Sequence, residues 1–177
     1  MTFGEQTSRD ESFRIMDFAF ENGINFFDTA EMYPVYPKKE TQGMSEKIIG
    51  DWINSRNVRD KIVIGTKISS SHPKGIGATK LAWIRGGGNK LKFDSKNFNE
   101  ALDSSLERLK TNYIDLYQLH WPERNVPIFG NFDYDTVNSL RRFQNNDLAI
   151  INSLRYSLIF IHILLFSLMI KSKFGFF

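Results

Sequence analysis

Four side chains of different chemical type stand out: Asp28, Tyr33, Lys67 and His120. A carboxylate, a phenol, an amine and an imidazole gathered at one place form a device for handing a proton to a developing alkoxide. Taken singly, each has a plainer reading. Asp28 would be a helix cap or loop anchor, Lys67 a solvated lysine, Tyr33 a loop tyrosine beside Pro34, and His120 a rim histidine before Trp121-Pro122. A phenol near pKa 10 is a sluggish acid at neutral pH. A lysine ammonium about 4 Å away at an effective dielectric of ~20 would offer ~4 kcal/mol, roughly three pKa units, and so would poise Tyr33. Asp28 would keep Lys67 charged by pairing with it, and His120 would donate or orient a hydrogen bond at a carbonyl oxygen. No side chain is a hydride source, so a reductive reading demands a bound nicotinamide.

The elements that must position these groups alternate. Gly23 to Tyr33, GINFFDTAEMY, reads as an apolar strand (Ile24 to Phe27) delivering Asp28 at its end and Tyr33 in the next loop. Ser8 to Asn22, with Phe13, Met16, Phe18, Ala19 and Phe20, fits an amphipathic helix stopped by Asn22-Gly23. Met44 to Ser55 places Ile48, Ile49, Trp52 and Ile53 at helical spacing, and Lys61 to Lys67 is a β-branched run. A loop from Ser69 to Lys96 precedes a helix from Asn97 to Lys110, and Tyr113 to Leu119 gives the next strand. Strands alternating with helices imply parallel pairing and the α/β class, because each return consumes a helix. Parallel strands point one way, so Asp28, Lys67 and His120 are expected at the same rim, where α/β proteins build their sites.

Composition narrows the classes. A chain of 177 residues, 41% hydrophobic and 24% charged, is long enough for one domain with a proper core. The formal charge of +3 is too small to argue for nucleic acid, and Lys38-Lys39 and Lys90 with Lys92 read as solvated loop charges. The absence of cysteine excludes a disulfide framework and a thiolate nucleophile, and it suits a reducing, cytoplasmic setting. His72, His120 and His162 lack ligand spacing, so no metal is expected. Gly86-Gly87-Gly88 follows no strand and reads as a loop, not a phosphate cradle. Met1 to Asp10 is polar and carries no secretory signal.

At these residues the chain resembles the aldo-keto reductases, in their Tas-like branch. The resemblance runs through Thr2-Phe3-Gly4-Glu5-Gln6, Gly23 to Tyr33, Glu40 to Trp52, the strand ending in Lys67, and SLERLKTNYIDLYQLHWP at Ser105 to Pro122, and it covers about Thr2 to Gly130. It implies a (β/α)8 TIM barrel that uses NADPH to reduce small-molecule aldehydes and ketones. Asp28, Tyr33, Lys67 and His120 match the family's catalytic tetrad, with Tyr33 as proton donor. Asp28 would also touch the nicotinamide ribose, and Gln6 stands at a cofactor-contacting position. The blocks expected after Asp135, which hold most of the cofactor in the family, cannot be found. The expectation is therefore a partial barrel of roughly the first four β/α units, with Asp135 to Asn145 beginning the fourth helix.

The end of the chain differs in kind. From Leu148 to Ile170 the composition turns to Ile, Leu, Phe and Ser without an acidic residue, which divides the sequence into a barrel portion, 1–147, and a hydrophobic tail, 148–177. The tail reads as a divergent hydrophobic helix, and its codon bias suggests read-through or a mis-spliced terminus. A membrane anchor is the other reading, since about 20 apolar residues cross the hydrocarbon layer. Asn152, Arg155 and His162 interrupt the run, and a central Arg costs about 2.5 to 3.5 kcal/mol, so interfacial association ranks ahead of spanning. A barrel needs ~250 residues and an open half exposes strand edges. The rival to an active reductase is accordingly a catalytically inactive half-barrel fragment, acting as an interaction module or held at membranes by its tail, with a homodimer as a way to close the sheet.

Overall fold

The computed structural model describes residues 1–69, 81, 83–86, 91 and 93–121. Most of the loop after Ser69, the expected fourth helix at Asp135 to Asn145, the boundary at 147 and the tail at 148–177 lie outside the described residues. Three helices alternate with three strands: α1 (Arg9–Glu21), β1 (Phe26–Asp28), α2 (Met44–Arg56), β2 (Val63–Ile68), α3 (Ser95–Leu109) and β3 (Leu116–Leu119). The strands are parallel and lie in sequence order, β1-β2-β3. The α/β class and the parallel pairing expected from alternation are thus both present.

Local chemistry accounts for the helix ends. Ser8 caps α1 by accepting from the Glu11 amide at 3.2 Å, and Asp10 and Glu11 complement the helix dipole in the first turn. The helix stops at Asn22, and Gly23 then turns the chain at a φ of 86° that side chains rarely adopt. Asp94 caps α3 through the Asn97 amide at 2.9 Å. The apolar face of α1 is narrower than the sequence suggests. Met16 is buried and Phe13 and Phe20 pack on the core, whereas Phe18 is 70% exposed.

The main core lies between the sheet and the helices, around the fully buried Trp52 of α2. Phe27 of β1 packs on it at 5.1 Å and Phe20 of α1 meets it edge-on at 5.9 Å. The indole N–H donates to Asp17 Oδ1 at 2.7 Å, and Arg56 grips the same carboxylate with two nitrogens at 2.8 and 2.7 Å. The guanidinium holds Asp17 below the usual carboxylate range. One aromatic ring therefore fixes α1, α2 and β1 relative to one another.

α2 and α3 cross in backbone contact at Gly50. A Cβ placed there would lie 2.4 Å from the Arg108 carbonyl oxygen, so only glycine permits this approach. Beside the crossing, the fully buried Glu46 accepts from Thr66 Oγ1 on β2 at 2.5 Å and from Arg108 Nε on α3 at 2.7 Å. A buried carboxylate with both partners in place ties two helices to the central strand.

The two faces of the sheet differ. Phe27, Ile64, Thr66, Ile68 and Tyr117 face the helices. By alternation Phe26, Asp28, Gly65, Lys67 and Gln118 take the other face, and the register sets Asp28 against Gly65 and Lys67 against Gln118. Phe26 on that face is 47% exposed.

Candidate active site

Each strand delivers one group to the carboxyl-end rim. Asp28 is the last residue of β1, Lys67 the penultimate residue of β2, and His120 follows β3 directly. Beyond the strands the ladder continues through Thr29 N to Gly65 O at 2.8 Å, Glu31 N to Lys67 O at 3.2 Å and His120 N to Ile68 O at 3.0 Å. These bonds lock the rim loops to β2. Gly65 leaves space beside Asp28, because a Cβ there would already touch Asp28 Oδ1 at 3.4 Å.

The four sequence-selected groups meet. Lys67 Nζ binds Asp28 Oδ2 at 2.5 Å and the Thr29 carbonyl at 2.7 Å. The same ammonium stands over the Tyr33 ring, 5.3 Å from its centroid, and the Tyr33 and His120 rings meet edge to face at 5.5 Å. Lys67 is mostly covered, with 14% of its side chain exposed, while Asp28 is half exposed. Tyr33 is buried in a second apolar cluster with Ala30, Met32, Leu81, Ile84, Leu91 and Trp121.

The electrostatics depart from one expectation. The phenol of Tyr33 is raised above its ordinary value, first by burial and then by the Asp28 charge, and not lowered by Lys67. The reason is geometric: Nζ is taken up by Asp28 and the Thr29 carbonyl and sits over the ring. Tyr33 is thus a fully protonated acid at neutral pH. Burial pushes the His120 imidazole down from 6.5 to about 4, with the Lys67 charge adding to that and Asp28 opposing it. His120 is therefore neutral at physiological pH and carries one N–H.

Some of the buried polar atoms without a hydrogen-bond partner belong to residues at or beside the rim. Among the described residues, His120 Nδ1, Thr29 Oγ1 and Gln118 Oε1 are buried with no hydrogen bond. Gln118 lies two residues before His120 on the same sheet face, across from Lys67. Sequence reasoning passed over it, although its position within LYQLH was the available signal. Gln6 is less engaged, with one contact from Nε2 to the Val35 carbonyl at 3.4 Å near the surface. Among the described residues no group of three or more His, Cys, Asp or Glu is placed to hold a metal, and no helix is long and apolar enough to cross a membrane.

Comparison with known proteins gives the family of the chain. Residues 1–153 match the aldo/keto reductase family. Protein tas of Escherichia coli (strain K12) is 42% identical over 142 residues, covering 78% of this chain and 38% of that protein. Norsolorinic acid reductase B of Dothistroma septosporum is 33% identical over 166 residues, covering 88% of this chain and 36% of the relative. The holo form of aldo-keto reductase AKR11C1 from Bacillus halodurans is 34% identical, with a TM-score of 0.46 over 64% of this chain and 32% of that one. The chain belongs to the aldo/keto reductase family, in the Tas-like branch. It spans less than two-fifths of the length of these curated relatives.

Proposed function

We propose that this chain carries the proton-donating half of a carbonyl reductase site, with NADPH as the reductant and an aldehyde or ketone as substrate. The observation that supports this best is the meeting of Asp28, Tyr33, Lys67 and His120 at one rim, from three strand ends and a loop. Tyr33 gives its proton to the substrate oxygen. Asp28 holds the Lys67 ammonium over the Tyr33 ring and so keeps the phenol in place beside His120. Neutral His120 donates its N–H to the same oxygen and orients the carbonyl. When bound, the nicotinamide supplies the hydride that no side chain can.

The residues present fit part of that cofactor. Asp28 has one oxygen on Lys67 and a half-exposed carboxylate with acceptor capacity left for a ribose hydroxyl. Gln6 is the second candidate contact. Residues 1–147 would form the barrel portion, in a reducing cytoplasmic setting, with 148–177 as an appended tail.

A second reading has its own support. Phe26 is open on the helix-free face, and neither β1 nor β3 has an outer partner strand among the described residues. An inactive half-barrel serving as an interaction module, or pairing with a second copy, would cover them. The deciding experiment is titration of the purified chain with NADPH, followed by cofactor fluorescence, beside turnover of a reactive aldehyde by wild type and Tyr33→Phe. Saturable binding with Tyr33-dependent turnover supports the reductase. Absence of both leaves the interaction module.

A further inference from the structure

Glu31 and Arg85 form an ion pair buried to 1% and 5% side-chain exposure, just beneath the rim. Both nitrogen and oxygen partners are specific. Arg85 Nη1 reaches both Glu31 oxygens, Arg85 Nη2 donates to the Ser69 carbonyl at 2.7 Å, and Glu31 Oε1 also accepts from the Ser69 amide at 2.5 Å. Ser69 directly follows β2, two residues after Lys67, and the Glu31 amide donates to the Lys67 carbonyl itself. On the other side, the Glu31 carbonyl accepts from Gln42 Nε2 at 2.5 Å, and the Tyr33 carbonyl accepts from the Gly43 amide at 2.9 Å. The neighbour of Arg85, Ile84, packs in the same apolar cluster as Tyr33. Arg85 holds a φ of 48°, in the left-handed region. A long charged residue keeps such a backbone only where its surroundings fix it.

We propose that the Glu31–Arg85 pair is a positioning device, which clamps the Ala30–Tyr33 loop to the end of β2 so that the Tyr33 ring stays between Lys67 and His120. The role rests on the reductase reading of the site. Neither residue touches the reacting atoms. The planar fork of Arg85 holds the carboxylate with Nη1 and the Ser69 carbonyl with Nη2, a fixed two-nitrogen geometry that the single nitrogen of a lysine does not reproduce. The pair therefore acts through geometry, and charge at position 85 is not enough.

The test uses the full chain and selectively labelled tyrosine and histidine. The proton cross-peak between the Tyr33 and His120 rings, assigned with Tyr33→Phe and His120→Gln, reads their contact directly. Arg85→Lys should lose more than half of that cross-peak and speed exchange of the Tyr33 and Ser69 amides. Asp17→Asn, which removes the negative charge that Arg56 grips far from the rim, should lower stability and leave the cross-peak intact. Should Arg85→Lys fail to fold, the Glu31→Gln/Arg85→Gln double variant, which removes both charges, gives the same readout. An unchanged cross-peak in whichever variant folds overturns the proposal, as does its absence in wild type or its loss in Asp17→Asn. NADPH binding is measured separately on wild type: its failure removes the reductase reading and leaves the ring contact to be scored by itself.

Discussion

His120 links protonation to folding in a definite direction. Folded, it takes a proton only near pH 4, because burial and the Lys67 charge oppose the imidazolium; unfolded, it takes one near 6.5. Between these values the unfolded chain binds more protons, so stability rises with pH across that window and is lost as pH falls through it. From pH 7 to pH 5 the histidine alone removes about 2 kcal/mol. Urea unfolding at the two pH values should show a loss smaller by about that amount in His120→Gln. Tyr33→Phe removes the acid while keeping the ring that packs on His120. If the chain acts as the proposed reductase, turnover should fall by about a hundredfold or more in this variant, as for loss of a general acid, with NADPH affinity unchanged. That these residues would meet was legible from the sequence, because parallel strands must end at one rim. The acidity of the phenol was not. It depends on where the Lys67 nitrogen spends its hydrogen bonds, and Asp28 and Thr29 take them.

Among the elements, the α2–α3 crossing makes the sharpest demand on the chain. Alanine is the better helix former by about 1 kcal/mol, yet its methyl group at position 50 would meet the Arg108 carbonyl at 2.4 Å. Gly50→Ala should therefore destabilise by about 1 to 3 kcal/mol net, seen as a lower urea midpoint at unchanged slope. Breaking the crossing also disturbs Arg108 and Glu46, and through Glu46 the Thr66 hydroxyl on β2. The helices were legible from apolar spacing, and their ends from Ser8, Asn22 and Gly23. The width of the α1 face was not, since Phe18 follows helical spacing loosely and points to solvent. Nor was the Glu31–Arg85 clamp, because partners separated by 54 positions leave no local pattern.

On the scale of the molecule, burial is one-sided. The helix-facing side of the sheet is packed, while Ile15 and Phe18 of α1, Ile24 before β1 and Phe26 within it stay 44 to 70% exposed. An exposed ring such as Phe26 beside β1, which has no outer partner strand among the described residues, favours association. Sedimentation of the purified chain should shift toward monomer in Phe26→Lys, with little cost to the fold because the ring is half open already. The alternation of elements let the parallel sheet be anticipated from sequence. How the chain beyond Trp121 relates to Phe26 was not legible, since the periodicity of one segment does not say what covers another.

Strand order gives this architecture a temporal property. Because β1, β2 and β3 are neighbours in the same sequence in which they leave the ribosome, each pairs with one already made, and each closure spans a single helical crossover. The described part of the rim, with Asp28, Lys67 and His120, has all its residues once Trp121 has emerged. Nascent chains arrested after that point should resist protease across 1–69, whereas those arrested before β3 should be cleaved there.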